Sequence, residues 1–402
     1  MNDLKSLDDT LNADAVYRIS ETKDIVYKVF LENLDLIEAG APPNLLTIPY
    51  LISEPGIGKS SIFAQIAKML NAHFEVVILN QFDVAELGGF PWLDRSSDEP
   101  TYRRARPFFL PRESSKERPV LIFWDEATQA FLANQNILGQ AVLEGRIGEH
   151  VFPKYTLQAV ASNDMTHRAG TTKMPAQVES RLTHYKVKPH YEDTIEYFYN
   201  SGVHEKIIAC LRIAPDILNV FDPATPNCPS PRTWEQCSPI VASTRLTPRE
   251  KVITMMGKIG KAAANKYAYI EKVYTQIPNP DDVIAHPDTA DIPDPDNRSD
   301  WLYVLLTAIA ARTTEQNAKN IIIYARRIVE VTSEEYANYL VASMLDRTGG
   351  RTQSPLARRN KEVKAYIREF ASNLYWTNFE DSEISEVQAI LDQSNEVDKI
   401  AS

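Results

Sequence analysis

A short glycine-rich segment of this sequence could bind the phosphates of a nucleotide. Residues 53–60 read SEPGIGKS, which fits the phosphate-loop pattern with Ser53 in place of the usual first glycine. The glycines let successive backbone N–H groups point toward an anion at the start of a helix. Lys59 could reach the β- and γ-phosphates. We therefore predict that ATP is bound by Glu54, Pro55, Gly56, Ile57, Gly58, Lys59, Ser60, Ser61 and Asp125.

A second segment supplies the carboxylates that hydrolysis of a triphosphate needs. Residues 120–127 read VLIFWDEA, an apolar run typical of a buried strand that ends in an acidic pair. Asp125 would hold Mg²⁺ through its water shell while Ser60 offers a hydroxyl, so these two are the predicted metal residues. Glu126 could act as general base toward an attacking water. Either motif alone arises by chance, but together, in this order and separation, they favour a nucleotide triphosphatase.

The elements around these motifs predict an α/β fold with a parallel sheet covered by helices. Helical patterns alternate with strand-like apolar runs, which typifies parallel sheets that bind ligands at the carboxyl ends of their strands. An amphipathic helix near residues 22–39 precedes the first strand. The predicted strands are residues 46–52, 74–80, 120–124, 156–161 and 183–187.

Changes in composition predict where the domains begin and end. The sequence turns helical beyond Pro189, which suggests a lid, and a proline- and aspartate-rich stretch then reads as an extended, solvated connector. Two helical patterns follow between residues 301 and 347. The predicted divisions are an N-terminal helical segment (1–45), an α/β nucleotide-binding core (46–189), an α-helical lid (190–276), the connector (277–300) and an α-helical C-terminal extension (301–402).

Three further polar residues could complete a catalytic site. Asn163 follows a predicted strand and could orient the attacking water, although a turn asparagine is the alternative. Arg181 precedes the next strand and could project into the γ-phosphate of a neighbouring subunit, the alternative being a surface salt bridge. Arg232 follows Pro231 at a helix start, where it could touch the same phosphate or be merely exposed. The predicted catalytic residues are therefore Glu126, Asn163, Arg181 and Arg232.

Composition limits the classes of protein that this chain could belong to. Its 402 residues carry a net charge of −11, which argues against a surface devoted to duplex DNA. The apolar runs are too short to span a membrane, and the acidic N-terminal residues do not form a signal peptide, so we expect a cytoplasmic location and no membrane partner. The spacing of the cysteines and histidines predicts no metal besides Mg²⁺.

The chain resembles the AAA+ ATPases, and within them the MoxR-like group. The matching segments lie between residues 53 and 232: SEPGIGKS, DVAELGGFP, WDEATQAFLANQNILGQAVLEGRI, the SND triplet, QVESRL and SPR. The resemblance implies a P-loop AAA+ core in a ring, usually a hexamer, with Mg²⁺-dependent ATP hydrolysis between neighbours. Lys59, Asp125, Glu126, Asn163, Arg181 and Arg232 would then have the roles given above.

The resemblance also implies two insertions that face the pore or a client. One would be residues 87–108 with a hairpin at 92–102, and the other a hairpin at 146–155. The first presents the aromatic residues of GGFPW on a glycine-rich loop, which could grip another chain or pack on the core. Members of the group often act with a von Willebrand factor A type protein, which makes such an adaptor a plausible partner.

Three functional hypotheses follow. The leading one is a MoxR-like ATPase that remodels or activates a protein partner. The alternative is a nucleic-acid motor or loader stimulated by single-stranded DNA, which would use a basic edge at Arg103, Arg104 and Arg106 and a basic stretch at residues 347–364. The basic edge could equally form salt bridges, and the basic stretch is more simply explained as a solvated loop and helix face. A nucleotide-gated scaffold is the third, supported by Ser53 alone.

Overall fold

The computed structural model describes residues 16–96, 99–164, 173–222, 225, 227–346, 356 and 360–370. These residues form two compact units. The first comprises Met1–His190 with Phe221–Pro226, and the second comprises Tyr191–Val220 with Asn227–Ser402. Most of the predicted basic stretch, including Arg347, Arg351, Arg358 and Arg359, lies outside the described residues.

The first unit is built on a parallel sheet with six strands in the order β1-β10-β2-β9-β6-β3. Two antiparallel hairpins, β4–β5 and β7–β8, stand apart from it. In chain order the strands are β1 (Tyr17–Arg18), β2 (Pro49–Ser53), β3 (His73–Ile78), β4 (Pro91–Asp94), β5 (Thr101–Arg104), β6 (Val120–Asp125), β7 (Arg146–Ile147), β8 (His150–Val151), β9 (Thr156–Asn163) and β10 (Thr183–Lys188).

Helices cover both faces of the sheet. Strand β6 is buried on both sides, with Leu121 and Phe123 in one hydrophobic cluster and Ile122 and Trp124 in the other. The first cluster includes Phe30 and the apolar face of the helix after β2, and the second includes residues of the helix that follows β6. The helices of this unit are α1 (Ile19–Glu38), α2 (Lys59–Met69), α3 (Val84–Gly88), α4 (Leu132–Glu144) and α5 (Ala176–Glu179).

The strand order places the polar ends of three neighbouring strands side by side. Strand β9 lies between β2 and β6, and Ser53 at the end of β2 pairs with Asn163 at the end of β9. Asp125 ends β6 on the other side of β9. The parallel sheet, its flanking helices and the helices that follow confirm the predicted α/β fold, a parallel sheet covered by helices and followed by helical segments.

The second unit is helical in its described residues. Trp234 and Tyr267 are fully buried in one of its cores, and Tyr324 and Tyr366 are buried in another. Between residues 301 and 347 the structure has parts of three helices where the sequence predicted two. The helices are α6 (Tyr191–Ser201), α7 (Glu205–Ile213), α8 (Pro231–Ala242), α9 (Pro248–Tyr274), α10 (Pro280–Ala285), α11 (Pro295–Ala311), α12 (Ala318–Val331), α13 (Glu334–Asp346) and α14 (Lys361–Phe370).

The prediction of a wholly extended connector at residues 277–300 was wrong. Helix α10 lies inside it, and α11 begins within it. The Asn279 side chain accepts a hydrogen bond from the Asp281 N–H, and the Asp294 side chain does the same for Asp296. Because a proline follows each cap at the first helical position, the asparagine, aspartate and proline residues here are helix-start signals as well as linker residues.

Both predicted hairpins are present and are joined to each other. Glu149 accepts a hydrogen bond from the Arg104 N–H at 3.2 Å, and the His150 ring bonds to the Arg104 carbonyl oxygen at 2.9 Å. Gly89, just before β4, allows close packing of the backbone. Gly89 has φ +86°, and a Cβ placed there would overlap the Ala105 carbonyl oxygen.

We predict that Gly89→Ala lowers the free energy of unfolding by about 2–4 kcal/mol, because the methyl group adds an overlap to the strain of a positive φ. Gly40→Ala is the matched control, since Gly40 has φ +84° with nothing within 4 Å of an added Cβ. The control should lose only about 1–2 kcal/mol, from φ strain alone. Urea unfolding measures both, and equal losses would show that Ala105 does not restrict this position.

Candidate active site

The loop between β2 and α2 has the conformation that its glycines allow. Gly56 has φ 83° and Gly58 has φ 95°, in the left-handed region that other residues rarely adopt. Gly58 is the N-cap of α2, and no side chain caps the helix there. The first N–H groups of α2 are therefore oriented for an anion, and the helix dipole adds partial positive charge at the same place.

Lys59 is held at the base of this loop. Its side chain is buried, with only 8% of the residue exposed. The ammonium donates to Ser53 Oγ and to Asn163 Oδ1, both at 2.9 Å, and to the Glu54 carbonyl oxygen at 3.3 Å. The residue that departs from the loop pattern, Ser53, therefore contacts the lysine directly.

Ser60, in the first turn of α2, lies close enough to Asp125, at the end of β6, for the two residues to share a metal ion. The Ser60 hydroxyl donates to Asp125 Oδ2 at 3.0 Å. A hydroxyl and a carboxylate are oxygen ligands of the kind that Mg²⁺ prefers, directly or through its waters. The pair therefore fits the predicted metal site.

Glu126 has a strained backbone and an unpredicted partner. Its φ of 56° is one of two positive values among described residues other than glycine, and its N–H donates to Asp125 Oδ1 at 2.9 Å. Strain of this kind concentrates at functional sites because the surrounding structure must enforce it. The Asn80 amide donates a short hydrogen bond to Glu126 Oε2. The left-handed turn thus places the carboxylate beside Asn80.

Asn80 is a residue of the candidate site that the sequence did not predict. It follows β3, which pairs with β6, so it lies next to the acidic pair. Among the described residues, its buried Oδ1 has no hydrogen-bond partner, and neither has Nε2 of nearby Gln129. A polar residue at the end of a predicted strand was the available signal, the same signal that singled out Asn163.

The two predicted arginines lie in different units. Arg181 is part-buried, and its guanidinium donates to the Gly139 carbonyl oxygen of α4 at 3.4 Å. Arg232 is exposed in the first turn of α8, which Ser230 caps and Pro231 opens. The predicted helix start at Arg232 is thus present, and its role at the phosphate stays a prediction.

The basic edge near the first hairpin is engaged within the chain. Arg103 lies 3.7 Å from an Asp94 oxygen and 3.5 Å from a Glu149 oxygen. Arg106 donates to the carbonyl oxygens of Leu110 and Pro111. These contacts favour the reading of this edge as salt bridges and loop anchors.

The aromatic residues of the same insertion lie at the surface. Phe90 is 60% exposed and Trp92 is 50% exposed, while Tyr102 and Phe108 exceed 80%. This exposure argues against packing on the core, and contact with another chain stays a prediction.

Among known proteins, this chain is similar to solved structures only. No family model matches the chain, and no curated protein matches its sequence. Two RuvB mutants from Thermotoga maritima align with TM-scores of 0.34 and 0.33 and identities of 13% and 15%, each over 71% of this chain and 87% of theirs. C. elegans PCH-2 aligns with a TM-score of 0.31 and 12% identity, over 67% of this chain and 73% of its own. Similarities this low carry no argument about function.

Among the described residues, no helix is both long enough and apolar enough to span a membrane.

Proposed function

We propose that this chain is an AAA+ ATPase of the MoxR-like type, which hydrolyses ATP between the subunits of a ring, usually a hexamer, to remodel or activate a protein partner. One observation carries the proposal: the start of α2 meets the ends of two adjacent strands, where Lys59 bonds to Asn163 of β9 and Ser60 bonds to Asp125 of β6. This arrangement combines an anion-binding loop, an oxygen pair suited to Mg²⁺ and a candidate base. We place the protein in the cytoplasm.

Each residue of the site has a separate task in the proposed hydrolysis. The N–H groups of residues 56–61 and the Lys59 ammonium bind the phosphates and offset their charge. Ser60 and Asp125 would hold Mg²⁺, which supplies charge stabilisation to the β- and γ-phosphates. Glu126 accepts the proton of the attacking water while Asn163 orients that water.

The remaining two catalytic residues make hydrolysis depend on assembly. Arg181 follows the short helix α5, and an arginine finger from one subunit would stabilise the charge that develops on the γ-phosphate of its neighbour. ATP binding would close the lid through Arg232, at the start of α8. Turnover therefore rises with assembly.

The proposed client surface is the pair of joined hairpins. The exposed aromatic side chains of the first hairpin supply apolar contact area, and its hydrogen bonds to Glu149 and His150 would transmit a shift of one hairpin to the other. A protein client or an adaptor of von Willebrand factor A type fits such a surface. The engaged arginines Arg103 and Arg106 weigh against the alternative of a motor stimulated by single-stranded DNA.

ATP turnover per subunit across a protein concentration series, with and without single-stranded DNA, tests the proposed function. Turnover that rises with concentration and ignores DNA is the expected result, because a composite site forms only between subunits. Strong DNA stimulation would favour the nucleic-acid motor. No turnover at any concentration, even with an added candidate adaptor, would contradict the ATPase.

In the same series, Lys59→Ala should lose both ATP binding and turnover. The substitution removes the buried ammonium that faces the phosphate loop, and a charge-assisted contact is worth about 1.5–3 kcal/mol, or about 10–150-fold in affinity. Fluorescent-nucleotide binding and phosphate release measure the two losses. Lys68→Ala, near the far end of α2, is the matched control, because Lys68 is exposed. Tight ATP binding by Lys59→Ala would remove the lysine from the site.

A further inference from the structure

The long helix α9 is interrupted at Gly260. This residue has φ 77° and ψ 167° inside a helix of 27 residues, a backbone conformation that is essentially restricted to glycine. A Cβ placed on Gly260 would lie 2.8 Å from the Asn227 carbonyl oxygen, which is too close for the two atoms to coexist without a shift. The helix is therefore kinked at the point where the chain that leads into α8 lies against it.

This leading chain, segment 227–230, is bonded to the first turn of α8. The Ser230 N–H donates to the Thr233 hydroxyl at 2.8 Å, and the same hydroxyl lies 3.2 Å from the Cys228 carbonyl oxygen. The Ser230 hydroxyl in turn accepts from the Thr233 N–H at 3.3 Å. A displacement at the start of the segment would therefore be carried to the turn that holds Arg232.

We propose that Gly260 is a positioning residue, which lets the Asn227 carbonyl oxygen approach α9 and thereby fixes segment 227–230 and the direction in which Arg232 projects. The proposal rests on the proposed function given above, in which Arg232 contacts the γ-phosphate of ATP. Gly260 touches no part of the nucleotide in this scheme and acts through Arg232 alone.

Gly260→Ala should weaken the binding of ATP and leave the binding of ADP as it is. The methyl group must displace Asn227 or change the kink in α9, and either shift moves Arg232. We expect affinity for an ATP analogue to fall about 3- to 10-fold, which is part of the about 10- to 150-fold that complete loss of a charge-assisted contact costs. ADP has no γ-phosphate for Arg232 to contact. A general packing defect would weaken the binding of both nucleotides.

A matched control and a second variant are available in the same unit. Gly257 is exposed, and nothing lies within 4 Å of a Cβ added to it, so Gly257→Ala should leave both affinities unchanged. Thr233→Val removes the hydroxyl that joins segment 227–230 to α8 and leaves Gly260 in place. It should reproduce the selective loss of ATP affinity, and it decides the question if Gly260→Ala does not fold.

The deciding experiment is a double-mutant cycle on the full chain. Wild type and the Gly260→Ala, Thr233→Val and Gly257→Ala variants, each with and without Arg232→Ala, are titrated with a slowly hydrolysed ATP analogue and, separately, with ADP, both with Mg²⁺. Arg232→Ala alone should weaken binding of the analogue and spare ADP. In that background Gly260→Ala and Thr233→Val should cause no further loss, because their effect passes through the missing arginine.

Several outcomes would overturn the positioning role. These are a further loss in the Arg232→Ala background, an equal loss for ADP, the same loss in Gly257→Ala, or wild-type affinity for the analogue in both Gly260→Ala and Thr233→Val. Failure of the proposed function looks different. Wild type that binds no ATP would refute the ATPase itself, and Arg232→Ala with wild-type affinity for the analogue would remove Arg232 from the site.

Discussion

Rings of Arg181→Ala are expected to bind ATP as tightly as wild type and to lose about 10³-fold or more in turnover, the range found for arginine fingers. The reason is that the guanidinium would act on charge that develops only in the transition state, so its loss affects kcat and leaves the ground state intact. In the described structure Arg181 contacts the Gly139 carbonyl oxygen of its own α4, which holds the side chain beside that helix.

A mixing experiment separates a finger acting between subunits from one acting within a subunit. Arg181→Ala subunits retain Glu126, and Glu126→Gln subunits retain Arg181. If both variants are mixed before assembly, a site works when an Arg181→Ala subunit receives the arginine of a Glu126→Gln neighbour. With random incorporation in equal amounts, about a quarter of the sites should recover, although neither variant is active alone.

Two results would contradict the finger. Unchanged turnover in Arg181→Ala rings would remove the residue from catalysis, and inactive mixed rings of normal size would show that it acts within its own subunit. Arg245→Ala provides the control for charge, because Arg245 is exposed and lies outside the site. Size-exclusion chromatography establishes that each variant assembles, which separates a catalytic loss from a loss of the ring.

The sequence predicted the phosphate loop and the acidic pair because both depend on local patterns. Gly58 and Lys59 are adjacent to the strand and helix that position them, and Asp125 ends an unbroken apolar run. Each strand was recognisable from its own residues, and parallel strands place their carboxyl ends at one edge, so Asn163 was expected near the acidic pair. Its hydrogen bond with Lys59 was not predicted.

Some contacts that the sequence did not predict depend on pairing between strands that are distant in the sequence. Others involve residue types that are common in more than one kind of local structure. Asn80 became significant only when β3 paired with β6 and brought its amide to Glu126. In the sequence Ser53 is only a mild departure from the phosphate-loop pattern, and the hydrogen bond that it accepts from Lys59 is evident only in the structure. In the connector, Asn279 and Asp294 are residue types that are common both in linkers and at helix N-caps. In the structure both cap helices.

Glu126→Gln is expected to reduce turnover by about 10²- to 10⁴-fold while ATP binding persists, as for the loss of a general base. Glutamine has nearly the same size and can adopt the same turn, so the strained φ of 56° and the N–H bond to Asp125 should be retained. The amide cannot accept the proton of the attacking water. The variant should therefore hold ATP in assembled rings, which makes it the natural trap for a bound client.

The comparison that decides this assignment is with Glu32→Gln, which makes the same chemical change on the exposed face of α1. Phosphate release and nucleotide affinity are measured for both variants across pH, so that slowed proton transfer is distinguished from loss of ATP binding. Equal turnover in wild type and Glu126→Gln would assign proton transfer elsewhere. Loss of ATP affinity together with turnover would instead mean that Glu126, placed by Asn80 beside the metal pair, serves binding rather than chemistry.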